Sequence, residues 1–325
     1  MDIQQIYKPV EADLLRVKET LRKAGAAEGA SGHEHMAEML EHVLDVGGKH
    51  VRPAITLLAS KFHPHDDKLP VLMGTAVELL HIATLVHDDT IDKAEVRRGR
   101  PTVSSLWGKD VALLVGDYIF AKSATYVCDT QNVRVIRTFA ETIMELSAGQ
   151  LKEYMAAYDW QQTRDHYWKR IFGKTASLFS TAAETGAILG DAPENEVQAL
   201  KSYGYNLGMA FQVIDDILDF EGSQTVVGKP VGNDLAQGTL TLPAIVFMER
   251  HPKDESIKAF FEDNGNQEKC QVAIDKIREA SNMAEAHRIA NGLCDTAKNA
   301  LNILPISPAR KSLLTLADYV CDRNL

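Results

Sequence analysis

The sequence predicts an all-α protein, and three observations carry that prediction. Apolar residues recur with the helical period in one segment after another. No stretch alternates apolar and polar residues as a half-buried strand does. Glycine-marked breaks, notably Gly47-Gly48 and the run between Gly222 and Gly238, punctuate the periodic segments. The chain has 325 residues, 45% of them hydrophobic, enough for a large core. It shows no linker-like break, low-complexity tract or repeat, so a single domain over residues 1–325 is expected, with more than ten helices.

Val10, Leu14, Val17 and Leu21 form the first apolar stripe. "GAAEGASGH", residues 25–33, reads as a connecting loop. "HMAEMLEHVLD" is helical and stops at Gly47-Gly48, and another helix starts near Lys49 with Pro53 in its first turn. Residues 70–92, 110–129, 132–157, 174–189 and 194–220 are long helices. "GSQTVVGKPVGNDLAQG", residues 222–238, is a long glycine-rich loop with the character of a lid, and shorter helices run to the end.

Net charge is -10, a poor match to nucleic acid, whose phosphates favour a basic face. Cys128, Cys270, Cys294 and Cys321 form no CxxC or Cys/His pattern and read as reduced, mostly buried thiols. The N-terminus has no apolar signal core, and no uninterrupted apolar stretch approaches a membrane span of about 18 residues. A cytoplasmic protein is expected.

The chemistry concentrates in two acidic motifs. "LVHDDTID" carries Asp88, Asp89 and Asp92; "QVIDDILD" carries Asp215, Asp216 and Asp219. Residues four apart share a helix face, so Asp88 with Asp92, and Asp215 with Asp219, place like charges together at a cost of a few tenths of a kcal/mol. A solvated acidic face accounts for one such motif as well as a site does, but it explains two matching copies poorly, because apolar residues precede each. Mg²⁺, which takes carboxylate and phosphate oxygens and keeps several waters, offsets that repulsion. Zinc lacks its His/Cys spacing. A paired-carboxylate glycosidase needs two lone carboxyls rather than two triplets.

Basic residues in turns complement the acids. "GGKHVRP" puts Lys49 and Arg52 at a helix N-terminus, where backbone N–H groups and the dipole favour an anion. "RRGRPT" supplies Arg97 and Arg98. "GKTAS" supplies Lys174, but a full phosphate loop is excluded because residue 168 is Trp168. Lys229 lies in the glycine-rich loop. His81, Leu85, Asp88 and Asp92 form one stripe, which places His81 in a polar cavity.

Taken in order, GGKHVRP, ELLHIATLVHDDTID, RRGRPT, GDYIFAKS, KTASLF, GMAFQVIDDILDF, GKPVGNDL and GTLTLP resemble the trans-isoprenyl diphosphate synthases, or polyprenyl synthetases, over nearly the whole chain. The resemblance implies a helical fold around a deep central cavity and a transferase that condenses isopentenyl diphosphate with an allylic diphosphate. It implies Mg²⁺ held by Asp88, Asp92, Asp215 and Asp219, and an allylic diphosphate gripped by Arg97, Lys174 and Lys229. It implies isopentenyl diphosphate on Lys49, Arg52, His81 and Arg98, with Thr175 and Gln212 near the reacting carbons. It also implies a homodimer, or in some long-chain members a small second subunit. Thr239 departs from the pattern, since many members carry a basic residue there; the C-terminal Arg323 is a weak substitute. Family members of short product length floor the tail pocket with aromatics where this chain has Ala83 and Thr84. A product of twenty carbons or more is therefore expected, with Leu80, Val77, Tyr118 and Phe120 further down. Two other readings remain: a class I terpene cyclase, disfavoured by the second "DDILD", and a non-catalytic partner subunit, disfavoured by both triplets being intact.

Overall fold

The computed structural model describes residues 2–30, 34–44, 47–222, 231–263 and 266–322. Among these the only strands are a two-residue hairpin, β1 (Val96–Arg97) and β2 (Arg100–Pro101). The rest is helical or connecting chain. The helices are α1 (Ile3–Tyr7), α2 (Glu11–Ala30), α3 (Glu34–Leu44), α4 (Val51–Ser60), α5 (Lys68–Ile91), α6 (Val103–Trp107), α7 (Lys109–Cys128), α8 (Val133–Met155) and α9 (Arg164–Ile171). After a π-helical turn at Phe172–Ala176 come α10 (Ser177–Leu189), α11 (Glu194–Glu221), α12 (Asn233–Ala236), α13 (Leu242–Arg250), α14 (Ser256–Glu262), α15 (Gln267–Ile277), α16 (Ala280–Ala300) and α17 (Pro308–Cys321).

The predicted long helices stand within a few residues of their expected bounds. Their starts are chemically marked. The Asn132 side chain accepts from the Arg134 and Val135 amides at the head of α8, and Ser307 caps α17 ahead of Pro308. One expectation fails: α2 continues through residues 25–30 instead of looping there. Four alanines in "GAAEGA" and its neighbours outweigh the glycines, since alanine has the highest helix propensity. Residues 31–33 lie outside the described residues, as do 223–230 of the glycine-rich loop, with Lys229, and Arg323.

α5 is the central pillar. Val77, Leu79 and Leu80 are almost fully buried, each worth about 1.5–3 kcal/mol over exposure. α4, α7 and α10 pack around it. The two ends of α10 lie so close to neighbouring helices that glycine is required: a Cβ on Gly190, just past α10, would sit 2.5 Å from the Ser60 carbonyl oxygen of α4, and one on Gly208 of α11 would sit 2.7 Å from Cα of Ala176, in the π-helical turn before α10. α11 spans two apolar clusters. Leu207 and Ala210 join α2, α4, α5 and α10, whereas Val213, Ile217 and Phe220 join α13 to α16.

α5 and α7 are each long and apolar enough to cross a membrane by composition alone. α5 owes this to its place in the core. Only 33% of the apolar stretch of α7 is buried, so α7 shows an open apolar face, continued on α8. The cysteine expectation is corrected as well. Cys294 on α16 and Cys321 on α17 form a disulfide across a sequence separation of 27 residues, and Cys128 is exposed. The pairing arises from two helices packed side by side, which spacing along the chain does not reveal.

Candidate active site

Each acidic motif divides its carboxylates between two directions. On α5, Asp88 lines the central cavity. Its neighbour Asp89 is only 6% exposed and points away, where Arg97 Nε donates to both its oxygens at 2.7 and 2.8 Å. α5 then ends in a cap: Lys93 takes the left-handed conformation and the Ala94 amide donates back to the Asp89 carbonyl at 2.9 Å. The chain reverses through the hairpin, whose loop residues Arg98 and Gly99 have φ of 51° and 76°. A type I′ turn needs positive φ at both positions. The reversal lays Arg97 on Asp89 and sends Arg98 Nη1 to the Gly47 carbonyl at 3.0 Å. Here the basic motif after the first acidic motif meets the basic motif before it.

On α11, Asp215 lines the same cavity as Asp88. Asp216 is 3% exposed and accepts from the Tyr167 hydroxyl at 2.7 Å and from Gln212 Nε2 at 2.8 Å. Burial, helped by the nearby Asp234 carboxylate, pushes its carboxyl up to about 7 against those two hydrogen bonds. Asp219 accepts the Asp234 amide at 3.2 Å, and its carbonyl accepts the Gly232 amide at 2.8 Å. It therefore holds the point where the chain returns from the glycine-rich loop.

The π-helical turn between α9 and α10 supplies the next two residues. Gly173 in this turn and Gly149 of α8 meet backbone to backbone; a Cβ on Gly149 would fall 2.9 Å from the Gly173 carbonyl carbon. π turns of this kind recur at functional sites. This one presents Lys174 and Thr175 to the cavity. The Thr175 hydroxyl donates to Gln212 Oε1 at 2.6 Å, and Lys174 Nζ reaches Glu153 Oε1 at 2.5 Å. Burial disfavours the Lys174 charge, but Glu153 and Asp88 outweigh it and raise its pKa. Burial likewise drives the Asp88 carboxyl up to about 6, reinforced by Asp92 and Glu153 and opposed by Lys174.

The opposite wall is basic. His50 precedes α4 in a left-handed conformation, φ 46°, and gives the helix no side-chain cap. The first amides of α4 are thus left for an anion. His50 Nδ1 lies 3.0 Å from Glu78 Oε1. The Arg52 guanidinium stacks 4.6 Å from the Phe179 ring centroid, and its Nε is buried with no protein partner. Burial lowers the Arg52 pKa to about 10, although Glu78 and Asp215 oppose it. His81 is held well below its usual pKa by burial and by Arg52, Arg98 and Arg97, so it is a neutral hydrogen-bonding group. Lys49 Nζ stands 5.2 Å over the Tyr319 ring of α17.

One cavity of about 640 Å³ thus gathers Lys49, Arg52, His81, Arg98, Asp88, Lys174, Thr175, Gln212 and Asp215, with Thr84 at its edge. Asp92, Asp219 and Arg97 are not among its lining residues. A second cavity of about 650 Å³ shares Thr84, Asp88 and Lys174 with the first and is otherwise largely apolar, lined by Leu80, Ala83, Phe120, Ile143 and Leu146. Val77 and Tyr118, expected further down, do not line it. Val77 is packed in the core instead.

Among the described residues, no three His, Cys, Asp or Glu side chains converge into a ready-made ion site. Asp88 and Asp215 stand on different helices facing one lumen. This oxygen-only donor set fits Mg²⁺ bridged by substrate phosphates, which is how that ion is commonly held. Sequence reading missed Glu78, Glu153, Tyr167 and Tyr319. Glu78 was within reach, since it lies three residues before His81 on the same helix face. Glu153, Tyr167 and Tyr319 come from helices remote in sequence.

A model of the polyprenyl synthetase family matches residues 33–277. The heptaprenyl diphosphate synthase component 2 of Geobacillus stearothermophilus is 35% identical over the whole of both chains. The crystal structure of heptaprenyl diphosphate synthase from Staphylococcus aureus superposes with a TM-score of 0.91 at 32% identity, covering 100% of this chain and 99% of that one. The polyprenyl synthase of Caulobacter crescentus CB15, solved with calcium and isoprenyl diphosphate, superposes at 0.91 with 29% identity, covering 99% and 98%.

Proposed function

This chain belongs to the polyprenyl synthetase family, and from that premise we propose that it condenses isopentenyl diphosphate head to tail with an allylic diphosphate. The product is a polyprenyl diphosphate of twenty carbons or more. The observation that carries this reading is the junction of the two cavities. A lumen with carboxylates on one side and cations on the other opens, at Thr84, Asp88 and Lys174, into an apolar one. A diphosphate head and a hydrocarbon tail require that pairing.

Asp88, Asp92, Asp215 and Asp219 would hold Mg²⁺, which supplies positive charge against the diphosphate that leaves. Lys174 adds a fixed cation beside the same leaving group, with Arg97 and Lys229 assigned to that side. As the allylic C–O bond breaks, charge develops on the departing oxygens, and preorganised cations stabilise that state more than the bound substrate. Lys49, Arg52 and Arg98, with neutral His81 as a hydrogen-bond partner, hold the second diphosphate on the α4 amides. The isopentenyl double bond attacks the allylic cation and forms the new C–C bond. A proton then leaves to the released diphosphate. The apolar cavity keeps water from the cation.

A long product is supported by the names of two relatives, a heptaprenyl diphosphate synthase and a component of one. The open face of α7 and α8, where Leu114 is 65% and Met144 70% exposed, supports a homodimer; a second subunit is the alternative suggested by a relative named as a component. Incubation with labelled isopentenyl diphosphate, an allylic starter and Mg²⁺ tests the reading. Elongated products support it. A cyclised hydrocarbon indicates a terpene cyclase, and absence of turnover indicates a non-catalytic subunit.

A further inference from the structure

The hydrogen-bond chain Tyr167–Asp216–Gln212–Thr175 has a fixed direction. An amide nitrogen only donates, so Gln212 Nε2 gives its proton to Asp216 Oδ1 at 2.8 Å, while Asp216 Oδ2 accepts the Tyr167 hydroxyl at 2.7 Å. This orients Gln212, nitrogen toward Asp216 and oxygen toward Thr175. An amide oxygen only accepts, so the Thr175 hydroxyl donates to it across 2.6 Å. That hydroxyl has one proton. With the proton committed to Gln212, what Thr175 offers the cavity it lines is the lone-pair side of its oxygen.

We propose that Asp216, backed by Tyr167, is a positioning residue. By fixing the Gln212 amide it makes the Thr175 oxygen an acceptor toward the positive charge that develops on the allylic carbon. The proposal rests on the reaction proposed above. It also explains why the second acidic motif carries an aspartate at its middle position. Asp216 follows Asp215 in sequence, yet successive residues on a helix point about 100° apart. Asp216 is accordingly buried against α9, away from the lumen that Asp215 faces. A dipole set in advance at the place where charge appears needs no reorganisation during the reaction. Released from Asp216, the Gln212 amide is able to turn over. Thr175 would then receive a proton from Gln212 and could direct its own hydrogen at the cation.

The test is the single-turnover elongation rate at saturating substrates and Mg²⁺, with melting temperatures and both KM values alongside. Asp216→Leu and Thr175→Val should each slow the step by about 10²-fold, the scale of losing one preorganised electrostatic contact. The double variant should be no slower than the slower single, because Asp216 acts only through that hydroxyl. Asp216→Asn keeps an acceptor for Gln212 and turns its own nitrogen to the Tyr167 oxygen, so it should stay within about fivefold of wild type. The isopentenyl diphosphate KM should not move. If Asp216→Asn were as slow as Asp216→Leu, the charge would matter and the positioning role would be wrong. Multiplying losses in the double variant, or a wild-type rate for Asp216→Leu, would equally overturn it. Should Asp216→Leu not fold, Tyr167→Phe completes the same cycle: slower alone, without further effect beside Thr175→Val. A wild-type protein that elongates nothing would instead defeat the reading of the reaction.

Discussion

Ala83→Phe tests the second cavity. Ala83 lies five residues before Asp88, about 7.5 Å down α5 from the cavity junction. Its wall position is narrow: Ala83 lines the lumen while only 1% of its surface is exposed. A phenyl ring grown there has two places to go, and they differ in magnitude. If it enters the lumen, which measures about 650 Å³, it meets little resistance and the melting temperature holds. If Ala83 is instead a plain contact between α5 and α7, the ring overpacks that contact at about 1–3 kcal/mol. At about 2–4 °C per kcal/mol or somewhat less for a chain of this size, that lowers the melting point by several degrees. The assay is elongation with labelled isopentenyl diphosphate, followed by dephosphorylation and separation by chain length. The expected result is an active, stable variant whose products stop shorter than wild type, because no diphosphate or metal ligand has been touched. The tunnel account is refuted by an unchanged product distribution, or by a wild-type enzyme that already stops at farnesyl length.

Other outcomes follow from the same geometry. Asp88→Ala and Asp215→Ala should abolish elongation without lowering the melting temperature, since Asp88 is held in a setting that disfavours its charge; a large thermal loss with retained activity would point to a structural role. Lys49→Ala and Arg52→Ala should raise KM for isopentenyl diphosphate, whereas Arg97→Ala and Lys174→Ala should act on the allylic side and on kcat; equal shifts in both KM values would contradict the two-site division. Reducing the Cys294–Cys321 disulfide, which closes a separation of 27 residues, should cost about 3.5 kcal/mol in denaturant unfolding; no difference between reduced and oxidised protein would show that the link does not constrain the chain. Burial works against the Asp254 charge, but its hydrogen bonds with Lys276 and Ser256 hold its carboxyl near 2, below the ordinary 3.8. Its contribution to stability is therefore present above pH 3.8 and lost as pH falls toward 2. The melting temperatures of wild type and Asp254→Asn should converge at the acid end, and a constant gap would exclude that source.

What the sequence could show depended on whether a contact is local or distant. Asp88 and His81 share the cavity as their helical spacing suggested, because a helix repeats every 3.6 residues and one segment contains its own geometry, whereas Asp92, on the same stripe, is not among the lining residues. The same rule separates Asp89 and Asp216 from their motif neighbours, but it does not say what they turn toward. Arg97 reaches Asp89 only because Arg98 and Gly99 adopt positive φ, and Tyr167 reaches Asp216 across a separation of 49 residues. The hairpin was invisible for a related reason. Two residues per strand contain too little alternation to register as a pattern, and its turn is led by an arginine in a conformation that arginine rarely takes. Residues 25–30 failed in the opposite way: glycine was read as punctuation where the surrounding alanines kept the helix going. The two acidic motifs look alike in sequence because each must aim carboxylates into one lumen. Their middle residues serve different partners, a guanidinium in the first and a phenol with an amide in the second, so the repeat is one of outward direction rather than of inward support. Exchanging the middle partners should therefore fail even though the motifs match. Arg97→Gln should leave Asp89 as a buried charge lacking that guanidinium, and should cost both stability and allylic binding. Tyr167→Phe should cost little stability and act on the rate of the chemical step. Equal effects on stability from the two variants would show that the inner residues are interchangeable packing after all.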